Sequence, residues 1–466
     1  MGGRWQFSKT SVSEIRLITR HAGTVLVGQL AVMAFGVADT VIAGRYSDSA
    51  LAALSVGTAI YISVYVGLIG IVQALLPIWS EMLGARQQDA LGRSVRQSLY
   101  LCGFITAAGI AALLFSSPLL GWAQVPDAMR GEVQHYLAVL ALAFAPSLLF
   151  RVYSTFNQSL GKPLLVTWLQ VGALIVKIPL SIWFVAGGSG LQPMGAVGCA
   201  WATLIVNYLL LVLAVVMLRT QAMYKPYKVW QSMERPDWRQ ISDFARLGIP
   251  GGLSYLVEVT SFTLMALFIA RLGTTASASH QIAASVAAVL YMMPLSIAIA
   301  CSARVSFWLG AGKPVYAKRV VHLGLKLTIL CAIVLAAVVS ITGKLLAGWY
   351  STNPEIVALA SSLLGWVAFY HLADATQALC AFLLRCYRIT LAPLALYGVL
   401  LWGVGLYGGY TLAYSGLMHL AATQSASGFW AASTIAIAAV AMCLLGLLWN
   451  AVRRSVRYIP TSSDLA

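Results

Sequence analysis

The sequence predicts an all-α membrane protein: twelve transmembrane helices in two six-helix lobes related by a pseudo-two-fold axis. Three observations carry that prediction. The 466 residues are 60% apolar and 9% charged, with a mean hydropathy of +0.83, a balance foreign to a soluble domain of this length. Apolar runs of about 20 residues or more recur from end to end, each long enough to cross a bilayer as helix. A gap-free shift of 226 residues also brings similar pieces together, with Arg45 on Arg271, the LGA of 83–85 on the LGA of 309–311, and Arg93 on Arg319.

In chain order, the first span, 18–43, follows a basic flank (Arg4, Lys9, Arg16, Arg20). That flank lacks the short apolar core and small-residue cleavage site of a secretory signal, so the span is expected to anchor itself uncleaved. Asp48 precedes the second span, 49–77, and Glu81 and Asp89 separate it from the third, 92–117. Asp127 and Glu132 mark the approach to the fourth, 132–158; the fifth, 164–186, ends near Trp183, and 194–218 is the sixth. The longest polar connection, LRTQAMYKPYKVWQSMERPDWRQISDFAR (218–246), divides the halves. After it come spans at 241–270, 276–302, 316–343, 356–384, 390–414 and 427–450, with Arg271, Lys344 and Glu355 between them. This gives an N-terminal lobe of residues 1–218, a cytoplasmic linker of 219–240 and a C-terminal lobe of 241–466. A closed β-barrel would need short alternating segments, which are absent. Six spans per half start each half on the same side, the arrangement behind a two-fold axis along the bilayer normal.

The net charge of +16 suggests anionic partners until its distribution is read. With the N-terminus inside, external loops hold only Arg45, Arg130, Arg271 and Lys344, and Lys177 and Lys326 are counted to the membrane. The remaining Lys and Arg residues fall in cytoplasmic segments or in the cytoplasmic halves of spans, the positive-inside bias of an inner (plasma) membrane protein with both termini in the cytoplasm. No nucleic-acid role is expected. The seven cysteines lack CxxC spacing and read as small apolar side chains. The sequence offers no HExxH, strand-linked GxGxxG or Walker-type loop, so neither a metal enzyme nor direct ATP drive is supported. Trp122, Trp183, Trp349, Trp449 and Tyr458 fall at span ends, as interfacial belts do. His21, His135, His322 and His419 are expected at the interface too, and His280 in a structural hydrogen bond.

Of 14 acidic residues, Asp39, Glu258 and Asp374 lie well inside spans. Intramembrane acids are costly and usually face a water-filled cavity on an ion or proton path. Ser254, Tyr255, Ser261 and Phe262 stand three or four residues from Glu258, on its helix face; Tyr370, His371 and Gln377 do the same around Asp374. Such polar and aromatic stripes belong inside a bundle. A carboxylate away from water takes a proton readily and releases it when a cation arrives. Two of them on facing helices suit a bare monovalent cation equally well. An ion and a cationic substrate would then compete for one negative charge, the minimum requirement for antiport.

Several segments in order resemble the multidrug and toxic compound extrusion (MATE) family, in its NorM-like bacterial branch: ADTVIAG, ERPDW…LGIPGGLSYLVE, ASHQIAASV…YMMPLS and LADATQ…LLRCYRIT. The resemblance spans nearly the whole chain. It implies a secondary antiporter that exports cationic, often aromatic compounds in exchange for Na⁺ or H⁺; no other cofactor and a monomeric state are expected. It also implies that Asp39 is the functional aspartate of the first span and that Glu258 and Asp374 form the C-terminal cation site, where Na⁺ would bind. Tyr291 and Tyr370 correspond to tyrosines lining that site, which Tyr255, Phe262 and His371 adjoin.

KIPLS at 177–181 departs from the branch's usual Asn-(Ile/Val)-Pro-Leu-Asn, placing Lys177 and Ser181 where asparagines are usual; Cys386 stands where a glycine is usual. A lone mid-span lysine is expensive, so Lys177 is expected to pair with Asp39 and deny that acid to a cation. Lys326, near a span end, is expected to snorkel. A lipid-linked oligosaccharide flippase on a related fold is the rival reading. Its pyrophosphate cargo calls for a cavity lined by Arg and Lys, whereas three acids lie deep here.

Overall fold

The computed structural model describes residues 3–122, 127–188, 190, 192–416 and 422–457; the side chains of Arg4, Lys9 and Trp122, and the whole of His419 and Tyr458, lie outside the described residues. Among the described residues twelve helices are long and apolar enough to cross a membrane. They are α1 (Ser13–Tyr46), α2 (Asp48–Gly84), α3 (Gln88–Leu114), α4 (Met129–Ser159), α5 (Leu164–Ala186), α6 (Ala196–Thr220), α7 (Trp238–Ala270), α8 (Thr274–Gly310), α9 (Pro314–Tyr350), α10 (Pro354–Cys386), α11 (Leu391–Ser415) and α12 (Ala426–Arg457).

Most helices run past the apolar spans, because a helix ends at a capping signal and not where its side chains turn polar. The Ser47 hydroxyl accepts from Ala50 N at 3.1 Å and opens α2. Asn353 Oδ1 accepts from Glu355 N at 2.9 Å, with Pro354 in the first helical position of α10. Inside α2 the helix breaks at Ala74. Pro77 has no N–H to give the Gln73 carbonyl, which accounts for the break three residues upstream. In α11 the backbone widens to a π-helix over Gly398–Tyr407, a Gly-rich stretch that the apolar pattern did not signal.

The chain packs as two compact units, Thr24–Gly252, and Met1–Gly23 with Leu253–Ala466. In the first, α4 packs against α2, α3 and α6. In the second, α10 packs against α8, α9 and α12, and every residue from Leu379 to Cys386 is buried. The 226-residue shift carries 129–159 onto 355–385, so the fourth helix of each half is the central one.

The polar connection does not hang free. Arg96 on α3, 4% exposed, grips both carboxylate oxygens of Glu234 and donates to the Lys228 carbonyl at 2.6 Å. Gln97 donates to Arg235 O at 3.0 Å and accepts from Asp237 N at 2.9 Å, and Tyr100 donates to Glu234 O at 2.8 Å. Gly92 makes room for this, since a Cβ there would collide with the Tyr227 carbonyl. The bonds from Arg96 hold the Glu234 carboxyl below its usual range.

All seven cysteines are free. Trp183, Trp349 and Trp449 are exposed, and so is Lys326. His280 Nδ1 accepts from Trp430 Nε1 at 3.2 Å. His21 departs from its expected interfacial place and is buried. Ile18 and Ala22 beside it are buried as well, and the apolar pattern alone does not distinguish that from a helix end in water.

Candidate functional site

Three intramembrane carboxylates fall into two clusters, one in each unit. In the Leu253–Ala466 part, α7 and α10 meet through side chains in an antiparallel ladder. Phe262 packs edge-on to Tyr370 at 5.8 Å between ring centroids, Glu258 and Asp374 share a donor one turn along, and Tyr255 meets Phe382 at 6.4 Å beyond that. The order follows from the spacing, because residues three and four apart on each helix line one face.

Gln377 Nε2 donates to Asp374 Oδ1 at 2.9 Å and reaches Glu258 Oε1 at 3.4 Å. Tyr397, at the entrance to the π-helical stretch of α11, donates to Gln377 Oε1. One amide carries one carbonyl and one NH₂ group, so fixing the carbonyl on a hydroxyl aims the NH₂ at the acids. Trp402 Nε1 donates to the carbonyl of Val257, beside Glu258, at 3.4 Å. Asp374 is 4% exposed and Gln377 fully buried. Among the described residues neither acid is ion-paired, and Gln377 is the donor to both. Glu258 is half-buried; two carboxylates so placed need a cation or a proton to balance them.

Around this pair, Phe262, Tyr370 and Trp430 form a triangle of edge-to-face rings with centroids 5.8–6.1 Å apart. Arg385, 5% exposed, stacks over Tyr255 at 5.2 Å and Phe382 at 4.7 Å. His371 is buried with its Nε2 lacking a hydrogen-bond partner among the described residues. Tyr291 is half-buried on α8 and bonds to neither carboxylate among the described residues. The Tyr370 ring packs against Phe262 and Trp430. Nothing in the sequence pattern marks Tyr397, Trp402 and Trp430 as neighbours of the acids.

The second cluster lies in the Thr24–Gly252 unit. Helices α1 and α5 run in the same direction and approach closely at Gly28, where a Cβ would strike the Gln170 side chain. Thr167 Oγ1 donates to Thr24 O at 2.8 Å at the same level. Eleven residues, three helical turns, separate Gly28 from Asp39 and Gln170 from Ser181, so the two arrive together. Ser181 Oγ donates to Asp39 Oδ1 at 3.0 Å. One turn back, Lys177 Nζ lies 2.9 Å from Asp39 Oδ2. The same ammonium donates to Thr203 Oγ1 of α6 at 2.8 Å, and Thr203 in turn donates to the Cys199 carbonyl at 2.9 Å. Asp39 is 8% exposed and Lys177 1%.

Comparison with known proteins identifies the family. Residues 25–183 and 250–411, one stretch in each half, match the MatE family. The chain is 36% identical over 444 residues to a probable multidrug resistance protein NorM of Aromatoleum aromaticum, covering 95% of each chain. It is 29% identical to the multidrug resistance protein PmpM of Pseudomonas aeruginosa, over 96% of this chain and 93% of that one. Its fold matches the eukaryotic MATE transporter AtDTX14 with a TM-score of 0.84 at 19% identity, over 96% and 98% of the two chains. The chain therefore belongs to the MatE (multidrug and toxic compound extrusion) family, a class of membrane transporters and not of enzymes, and is similar over nearly its whole length to its bacterial NorM members.

Proposed function

We propose that this protein is a secondary multidrug efflux antiporter of the bacterial inner membrane, exporting cationic amphiphilic compounds in exchange for Na⁺ or H⁺ by alternating access. The observation that carries the reading is the Glu258–Gln377–Asp374 cluster: two acids on facing helices, one shared donor, and no ion pair among the described residues. A small ion and a bulky cationic guest compete for that charge, so loading one releases the other. The rings of Tyr255, Phe262 and Tyr370 offer faces and edges to an aromatic cation nearby, with Tyr291 and His371 bordering the same ground. The names of the NorM and PmpM relatives, both multidrug resistance proteins, support the substrate class. In this reading the lobes 1–218 and 241–466, joined by the linker 219–240, alternate access as a monomer with both termini in the cytoplasm. The flippase alternative loses ground at the mid-span cation, because an anionic cargo wants it unpaired and Lys177 is tied to Asp39; Arg385, at the end of α10, stacks on Tyr255 and Phe382.

Proteoliposomes carrying the purified protein test this, with a pH gradient and a Na⁺ gradient imposed separately. Export of an ethidium-like cation is expected with one of them, and to be lost in Glu258→Gln and in Asp374→Asn at normal expression. Export driven by neither gradient, or wild-type rates in both variants, would overturn the reading.

A further inference from the structure

Lys177 presents its ammonium to three partners of a particular kind. Asp39 Oδ2 lies 2.9 Å away, Thr203 Oγ1 2.8 Å away, and the Phe35 ring centroid 5.9 Å away. A carboxylate oxygen, a hydroxyl oxygen and an aromatic face are what a dehydrated monovalent cation takes as neighbours. The remaining groups are already placed for such a guest. Ser181 Oγ fixes the other carboxylate oxygen at 3.0 Å, and Thr203 spends its own proton on the Cys199 carbonyl at 2.9 Å, leaving its oxygen free to accept. All three helices that line the pocket, α1, α5 and α6, contribute to it.

We propose that the Lys177 ammonium is the resident cation of this pocket, tethered in the place between Asp39 and Thr203 that a free ion would otherwise take, so that Asp39 exchanges no ion and exchange falls to Glu258 and Asp374. The contrast between the clusters supports it. Asp39 has a full counter-charge on a four-carbon stem that cannot leave, and a second cation would meet a like charge at contact distance. Glu258 and Asp374 have two negative groups and no ion-paired partner among the described residues. The proposal rests on the antiport reading and specifies which acids carry the ion.

The test counts ions and protonated acids on the purified full-length protein. The probes are ²²Na⁺ binding and the infrared carbonyl band of a protonated carboxyl group, on wild type, Lys177→Met, and Lys177→Met combined with Asp39→Asn. Removing the ammonium should make Asp39 take up one further Na⁺ or one further proton per chain. That gain should persist when Glu258→Gln and Asp374→Asn are added, and vanish with Asp39→Asn. The neutral pair, Lys177→Met with Asp39→Asn, should bind what wild type binds. Two results overturn the proposal: no gain in either readout on Lys177→Met, or a neutral pair that binds one ion or proton fewer than wild type. If Lys177→Met does not fold, the neutral pair decides alone. Gradient-driven export by wild-type proteoliposomes, run alongside, reports on antiport itself. Its failure leaves the ion count standing, and the reverse also holds.

Discussion

Tyr397 donates its hydroxyl proton to the side-chain carbonyl of Gln377, and that bond decides which way the amide points. With the carbonyl held, the NH₂ group faces Asp374 and Glu258. Without it, the amide is free to turn its oxygen toward the two acids, which takes away their shared donor and scatters the geometry. Tyr397→Phe keeps the ring and removes only the hydroxyl. The expected result is export reduced by about 2- to 10-fold, the value of one buried hydrogen bond, with the ion dependence shifted and expression unchanged. Export of the ethidium-like probe and its dependence on ion concentration measure both. A variant indistinguishable from wild type in both would show that Tyr397 does not position the amide.

The Asp39–Lys177 pair makes a prediction about stability that is separate from ion counting. Each partner is buried, so removing one leaves the other without its partner in apolar surroundings, to stay charged or to change its ion or proton occupancy at a cost. Asp39→Asn or Lys177→Met alone should each destabilise the protein by roughly 3–5 kcal/mol, whereas the two together should recover most of that loss. Thermal unfolding of the four proteins in detergent forms a double-mutant cycle. Simple additivity of the single losses would mean that the pair is not an energetic unit.

The two clusters differ in how far the sequence discloses them. Asp39 and Lys177 were paired by a cost argument, since neither charge is tolerable alone in a span and each is the other's remedy. Gln377 was visible at three residues from Asp374. Phe262 and Tyr370 were visible as members of facing stripes, though not as partners of each other at 5.8 Å. Tyr397 and Trp402 were not visible, because their placement depends on the π-helical turn at Gly398–Tyr407, and nothing in GVLLWGVGLY distinguishes that widening from ordinary helix. Trp430 was hidden for another reason: an aromatic residue near the start of an apolar span looks like a belt residue unless its neighbours from other helices are known. Helix limits were legible only as far as polarity follows them, and caps such as Ser47 and Asn353 carried the rest.

The close approach of α5 and α6 depends on Gly198. A Cβ there would lie 2.7 Å from Val185 N and from the Phe184 carbonyl carbon, both backbone atoms that cannot swing aside. The same strands of chain are joined by Met194 N donating to Phe184 O at 3.1 Å. Gly198→Ala should therefore force the helix ends apart and destabilise by about 1–3 kcal/mol. Gly172→Ala, on the open face of α5 with nothing within 4 Å, is the control. It should leave stability unchanged or raise it by up to about 1 kcal/mol, as Ala does over Gly inside a helix. Equal melting temperatures for the two variants would contradict the packing argument.

The grip of Arg96 on Glu234 gives the polar connection a dependence on pH. The hydrogen bonds from Arg96 hold the Glu234 carboxyl below its ordinary 4.5. A group whose folded pKa is depressed contributes its stabilisation above the unfolded value and loses it as pH falls through the folded one. The contribution is therefore complete above about pH 4.5 and fades below it. Glu234 is 33% exposed, so solvent screens the pair and the global effect should be small. The local effect should be larger, because the same segment holds the Asp237 amide on Gln97 at 2.9 Å. Hydrogen exchange of the amides in 231–237, corrected for intrinsic rates and followed from about pH 6 down to about pH 3.5, should show protection falling over the lower part of that range. In Arg96→Met the protection should be weak already at the upper end and change little with pH. Wild-type protection that stays constant across the range would mean that Glu234 ionisation does not hold the connection in place.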